Sequence, residues 1–331
     1  MRGSVVQMGF PLLKKLALMA APGLAIPLLF RLAGQTYVVY VITLIFFWAY
    51  LAQCWNIVWG YAGLLSFGHS AFLGMGAYTS TILFLNHGIS PWIGMFAGGA
   101  AAVLLALAIG YPTLRLRGVY FALATIAVAE IVRLVMLKLD FLTGGALGLL
   151  LPITRSALLF QFDDIFHWCL MALAMLLMLS AISYSIENSK LGMALRAVRG
   201  EEEAAASIGI YPFRYKMMAL LMSAFFTAIG GTFFAQLTGY IRPDIILTVE
   251  RSEEILIVAL VGGTGVFIGP VIGAIILLSL RQAILALLGG GYAGAHLIIY
   301  GILIILVVRF MPGGVYYHLS RAFAGFRSGI R

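Results

Sequence analysis

Nine runs of apolar residues, 14 to 26 residues long and almost free of charge, account for most of this chain. They lie at roughly Leu16 to Phe30, Tyr37 to Val58, Ala71 to Leu85, Trp92 to Tyr111, Val119 to Leu137, Ile165 to Tyr184, Tyr215 to Leu237, Ile255 to Leu280 and Ala295 to Val308. A helix needs about 20 apolar residues to cross the hydrocarbon of a bilayer, so most of these runs match one crossing. Only 10% of the 331 residues are charged and 63% are hydrophobic, against about 25% charged in a soluble domain. A soluble enzyme is excluded, and the connections leave no room for a catalytic domain.

The other counts fit this reading. The net charge of +9 would suggest nucleic acid in a soluble protein, but here Lys and Arg sit between the apolar runs and report topology. Cys54 and Cys169 lie inside apolar runs without metal-spaced partners, so packing is expected, with no metal site and no disulfide. The run Leu16 to Phe30 contains Pro22 and Pro27 and lacks a small-residue cleavage pattern, which makes it a first helix rather than a cleaved signal.

The run Ile255 to Leu280 is too long for one span: its 26 residues would make about 39 Å of helix against a core of about 30 Å. Gly262, Gly263, Gly265, Gly269 and Pro270 interrupt it. The expectation is two half-helices around a glycine break, entering and leaving by one face. With the N-terminus cytoplasmic, eight spans and this re-entrant pair put fourteen of the 21 Lys and Arg inside, six outside and Arg133 within a span, as the positive-inside rule requires. The C-terminus is then cytoplasmic too. If the long run instead crosses fully, the basic C-terminal tail faces outward unless another span is hidden near Arg281 to Gly291, which would make ten. The expected fold is an all-α, polytopic transmembrane helical bundle, one domain over 1–331, with a cytoplasmic coupling loop at 187–214.

A second glycine break runs from Gly60 through Gly63, Ser66, Phe67, Gly68 and His69 to Gly74 and Gly76. Paired discontinuous helices in two halves of a chain point to a transport pathway, while glycines also serve close helix packing. The candidate pathway residues are Asn56, Ser66, Phe67, Gly68, His69, Glu130, Arg133, Thr143, Gly262 and Gly263. Asn56 is an intramembrane amide that needs partners. His69 is either a substrate contact or a hydrogen-bonded packing residue. Glu130 and Arg133 share a helix face and each costs about 2.5–3.5 kcal/mol at mid-membrane, so they form an ion pair or meet the pathway. Thr143-Gly144-Gly145 is a gate or a plain turn.

Between Glu187 and Lys216 the longest cytoplasmic loop carries both signs of charge, with Leu191, Ala194, Leu195 and Val198 at helical spacing. A short alanine-rich helix follows, stopped by Gly209. Membrane insertion needs no such element, and it suits docking to another protein.

Several strings occur together in order: Asn56, Gly60-Tyr61-Ala62-Gly63, Ser66-Phe67-Gly68-His69, Leu114 to Tyr120, Ala129-Glu130-Ile131-Val132-Arg133-Leu134, Thr143-Gly144-Gly145, Arg196-Ala197-Val198-Arg199, Ala204 to Ile210, and Gly262-Gly263-Thr264-Gly265 with Gly269-Pro270-Val271. From Tyr37 to Phe310 the chain resembles the membrane permease subunit of bacterial ATP-binding cassette (ABC) importers of the branched-chain amino acid type. The resemblance implies a bacterial cytoplasmic (inner) membrane location. It also implies a heterodimer with a second permease subunit, two cytoplasmic ATP-binding subunits and an extracytoplasmic binding protein. Lipid is the surrounding medium, with no nucleic acid, no cofactor and no catalytic residue in this chain.

Glu203, Ala204, Ala205, Ser207 and Gly209 would then form the coupling helix seated in the ATPase. No Gly-x-x-x-x-Gly-Lys-Ser/Thr loop occurs, so ATP hydrolysis falls to partners. Leu147, Arg242 before Pro243, and Gly265-Val266-Phe267-Ile268-Gly269 without tryptophan depart from the family pattern. They leave branched-chain amino acids, urea, short amides and aromatic acids open as cargo. A self-sufficient secondary transporter or channel is the alternative, for which the loop Glu187 to Lys216 would have no use.

Overall fold

A computed structural model describes residues 2–152, 154, 156–288, 301–302, 305, 309 and 313–318. In chain order the helices are α1 (Arg2–Leu32), α2 (Thr36–Asn56), α3 (His69–His87), α4 (Pro91–Thr113), α5 (Val119–Lys138) and the short α6 (Asp140–Thr143). After β1 (Leu149–Leu150) come α7 (Ile165–Glu187), α8 (Lys190–Gly200), α9 (Glu202–Ser207) and α10 (Pro212–Thr238). Then follow β2 (Tyr240–Ile241), α11 (Pro243–Ile246), α12 (Val249–Gly262) and α13 (Gly269–Leu288). The protein is an all-α, multi-pass membrane protein.

The helix ends follow local chemistry. The Asp164 carboxylate accepts the Phe166 N–H at 2.9 Å and caps α7. Ser90 caps α4 with Pro91 in the first turn, and α10 opens on Pro212. α3 and α10 close on Gly88 and Gly239 in the left-handed conformation.

Among the described residues, six helical stretches are long and apolar enough to cross a membrane: Lys14–Leu32, Thr36–Tyr61, Pro91–Thr113, Val119–Lys138, Ile165–Glu187 and Pro212–Thr238. α3 matches the expected run near Ala71 to Leu85 but is not among them. Its 19 residues include His69, Ser70, Ser80 and Thr81, all fully buried. A helix surrounded by other helices does not need an apolar face for lipid, so its polarity reflects its place in the interior. The run Ala295 to Val308 falls almost wholly outside the described residues.

Contacts divide the chain into two compact units, one of residues 54–163 and 190–256, the other of 1–53, 164–189 and 257–331. The first is built on α3, α4 and α10. Its helices touch backbone to backbone: a Cβ on Gly76 would lie 1.9 Å from the Ala228 carbonyl oxygen, and one on Gly231 would lie 1.9 Å from that of Leu73. Glycine there is a steric requirement, the usual basis of close packing in a membrane, where lipid supplies no hydrophobic drive. On this unit the two-residue pair β1/β2 is antiparallel, with Leu149 opposite Ile241.

In the second unit α1 packs on α7, where a Cβ on Gly23 would come within 2.8 Å of Leu173. Val39, Phe166 and Cys169 form a small core there, so Cys169 is a packing residue. Arg31 pairs with Asp164 at 2.7 Å.

Candidate functional site

The two glycine breaks are real interruptions of helix. α2 ends in a wide π-type turn, Ile57–Tyr61, and the chain is non-helical until His69. Gly63 turns it with φ +73°, a conformation that costs other residues energy. The Trp55 indole donates to the Ser66 carbonyl at 2.8 Å, and the Phe67 N–H donates to Thr125 Oγ1 of α5 at 3.0 Å. Asn56 is fully buried at the end of α2. Gly68 is unstrained, with φ −88°, and a Cβ there would sit 3.6 Å from Thr125, in ordinary contact.

His69 is fully buried. Its Nε2 lies 2.8 Å from Ser223 Oγ, and that hydroxyl donates onward to the Cys54 carbonyl at 2.7 Å. The ring N–H is thereby directed at Ser223, and the chain of bonds ties α3 to α10 and α2. Beside this break, Ser66, Gly68, Phe72, Thr113, Phe121 and Thr125 line a cavity of about 10 Å³, room for about one water molecule. No amino acid fits there in this conformation.

Glu130 and Arg133 are brought together, with a third partner. Arg133 donates to both Glu130 oxygens, at 2.9 and 2.6 Å, and from Nη1 to Asp244 Oδ1 at 2.6 Å. Arg242 lies 3.7 Å from Asp244. Two acids thus meet two bases, so each charge of the cluster has a counter-charge beside it. Asp244 is not among the candidate residues that the sequence offers; the signal for it is an acid two residues after Arg242, in Arg242-Pro243-Asp244.

Thr143 is fully buried, and its hydroxyl donates to the Met136 carbonyl at 2.6 Å and accepts the Gly145 N–H at 3.2 Å. It is committed to holding its own turn.

At the second break α12 and α13 fold back on each other. A Cβ on Gly262 would lie 1.9 Å from the Gly269 carbonyl oxygen, and one on Gly273 would lie 2.0 Å from that of Val258. Pairing 262 with 269 and 258 with 273 means that the two half-helices run antiparallel away from the turn. Gly263 has φ +116°. The turn is held by the Gln53 amide, which donates to the Phe267 carbonyl at 2.7 Å. Lys15 lies 4.9 Å above the Tyr184 ring, itself edge-on to Phe267.

The expected coupling helix, Glu203 to Gly209, is the six-residue α9, which starts one residue earlier and ends at Ser207, with Gly209 at φ +84° just beyond. Glu202 pairs with Lys216, a lysine only 3% exposed, and Glu203 pairs with Arg117 at 3.1 Å. Ala205 points inward and is 2% exposed, while Ala204, Ala206 and Ser207 are open. The outward surface continues through Ile208 and Tyr211, 73% and 68% exposed.

A family model described as the permease component of branched-chain amino acid transport systems matches residues 37–308. The chain is 29% identical over 326 residues to the high-affinity branched-chain amino acid transport system permease protein LivM of Escherichia coli (strain K12), covering 91% of this chain and 75% of that protein. LivM of Salmonella typhimurium is 29% identical over 284 residues, 78% of this chain and 65% of its own length. LivH of the same organism, another high-affinity branched-chain amino acid permease protein, is 26% identical over 287 residues, 81% of this chain and 90% of its own. No solved structure matches.

Proposed function

This chain belongs to the permease component family of branched-chain amino acid transport systems, and on that premise we propose that it is the membrane conduit of an ABC importer for branched-chain amino acids. The observation that carries the reading is the extent of the family match: residues 37–308 take in both glycine breaks, the charged cluster and the loop bearing α9. Similarity to LivM and to LivH alike supports pairing with a second permease subunit. Two cytoplasmic ATPases and an extracytoplasmic binding protein complete the assembly in the inner membrane.

The chemistry divides accordingly. This chain has no phosphate-cradling loop for ATP; it holds two helix breaks whose backbone can rearrange and a loop that can be pushed. The binding protein selects and delivers the amino acid. ATP-driven approach of the ATPases moves α9 through its exposed surface of Ala204, Ala206, Ile208 and Tyr211. The break at Gly60 to Gly68, shut down to one water in this conformation, is where the path opens. Eight spans with a re-entrant α12–α13 pair and both termini cytoplasmic form the arrangement we favour, supported by the positive-inside count and by the antiparallel half-helices.

The test is reconstitution in proteoliposomes with the three partner types. Leucine uptake that requires ATP inside and binding protein outside supports the reading. Uptake by this chain alone under an ion gradient would refute it in favour of a secondary transporter. Competition by urea, short amides or aromatic acids decides the cargo.

A further inference from the structure

The docking helix α9 is tied to its unit by Glu202 on Lys216 of α10 and by Glu203 on Arg117, and it packs on α8, which in turn grips the first glycine break with one long side chain, Arg199. Its Nη1 donates to the carbonyl of Gly60, a buried residue inside the π-type turn that ends α2. The last carbonyls of a helix lack intrahelical donors, and a charged guanidinium is a strong substitute. The aliphatic stem of Arg199 lies against Gly63, where a Cβ would come within 2.9 Å of Arg199 Cγ and 3.3 Å of its Cβ. Arg199 therefore holds the break at two points, three residues apart. Beyond them, the backbone of Phe67 is bonded to Thr125 of α5, on the wall of the small cavity.

We propose that Arg199 is the transmission residue of this unit: a positioning residue through which displacement of the docking loop is passed to the Gly60 to Gly68 break and opens the gap beside Thr125. The proposal rests on the importer reading above. A tie that merely stabilised the loop would alter how much complex assembles, and leave the uptake obtained per ATP unchanged.

The experiment uses the complete complex in proteoliposomes, with leucine uptake and phosphate release measured in the same vesicles. Wild-type protein is read first: lack of ATP-dependent uptake there overturns the importer reading, and the proposal falls with it. Given a coupled wild type, Arg199→Met is expected to retain the ATPase at wild-type stoichiometry and to lower uptake per ATP about tenfold, the scale of one lost charge-assisted hydrogen bond. Arg199→Lys, with one ammonium able to reach the same carbonyl, should recover most of the ratio. A wild-type ratio in the Met variant, or equal losses in both, overturns the proposal. Should the Met variant fail to assemble, Gly63→Ala displaces the Arg199 stem from the other side, and an unchanged ratio in that variant overturns it equally.

Discussion

Removing Arg133 leaves the carboxylates of Glu130 on α5 and Asp244 on α11 without their shared cation, and the structure sets how much that costs. Arg133→Met deletes three charge-assisted hydrogen bonds, two to Glu130 and one to Asp244. Such bonds contribute about 1.5–3 kcal/mol each when well shielded. Here the Arg133, Glu130 and Asp244 side chains are 22%, 41% and 38% exposed, so solvent or a partner subunit screens part of that, and the expected loss is about 3 kcal/mol. At about 2 °C per kcal/mol for a chain of this size, the melting temperature falls by roughly 6 °C. Glu130→Gln keeps Arg133 bonded to Asp244 and leaves no unpaired carboxylate, so its cost is about 1 kcal/mol, or roughly 2 °C. The assay is thermal unfolding in detergent followed by an environment-sensitive thiol-independent probe, alongside uptake in proteoliposomes. Equal shifts for the two variants, or no shift for Arg133→Met, would refute the triad as a structural lock. Unchanged melting with lost uptake would place Arg133 on the path instead.

Ala204→Arg, on the open face of α9, should leave abundance unchanged and abolish pull-down of the ATPase, whereas Ala205→Arg, at a buried methyl, should lower abundance itself; identical behaviour would argue against the docking face. Gly63→Ala, with φ +73°, should cost about 1–2 kcal/mol in melting, and Gly68→Ala, with φ −88°, almost nothing; a reversed order would mean that the break is arranged differently. In a background lacking Cys54 and Cys169, Ser279→Cys and Ser207→Cys should react with membrane-impermeant thiol reagent from opposite sides. Reaction from the same side would mean that α12 and α13 cross the bilayer together as one span.

The apolar runs, the glycine breaks and the short helix before Gly209 were all legible in the sequence, because each depends on residues adjacent in the chain. Hydropathy over about 20 residues selects a span, and glycines that take up positive φ, as Gly63 and Gly263 do, interrupt a helix, whereas Gly98-Gly99 and Gly230-Gly231 stay inside α4 and α10. Even α3 was placed correctly by its run, although its histidine, serines and threonines only make sense once α4 and α10 surround it. The side on which a residue falls, and the partner it meets, depended on packing between distant segments. Ala205 looked like a docking alanine, yet a six-residue helix turns one of its three alanines inward, and only the contact beneath α9 decides which. Asp244 reaches Arg133 from 111 residues away, and Arg199 reaches Gly60 from 139 residues away. Local sequence supplies the charge and the free carbonyl in each case. Their pairing exists only because the tertiary fold brings together two groups that would each be costly to bury alone.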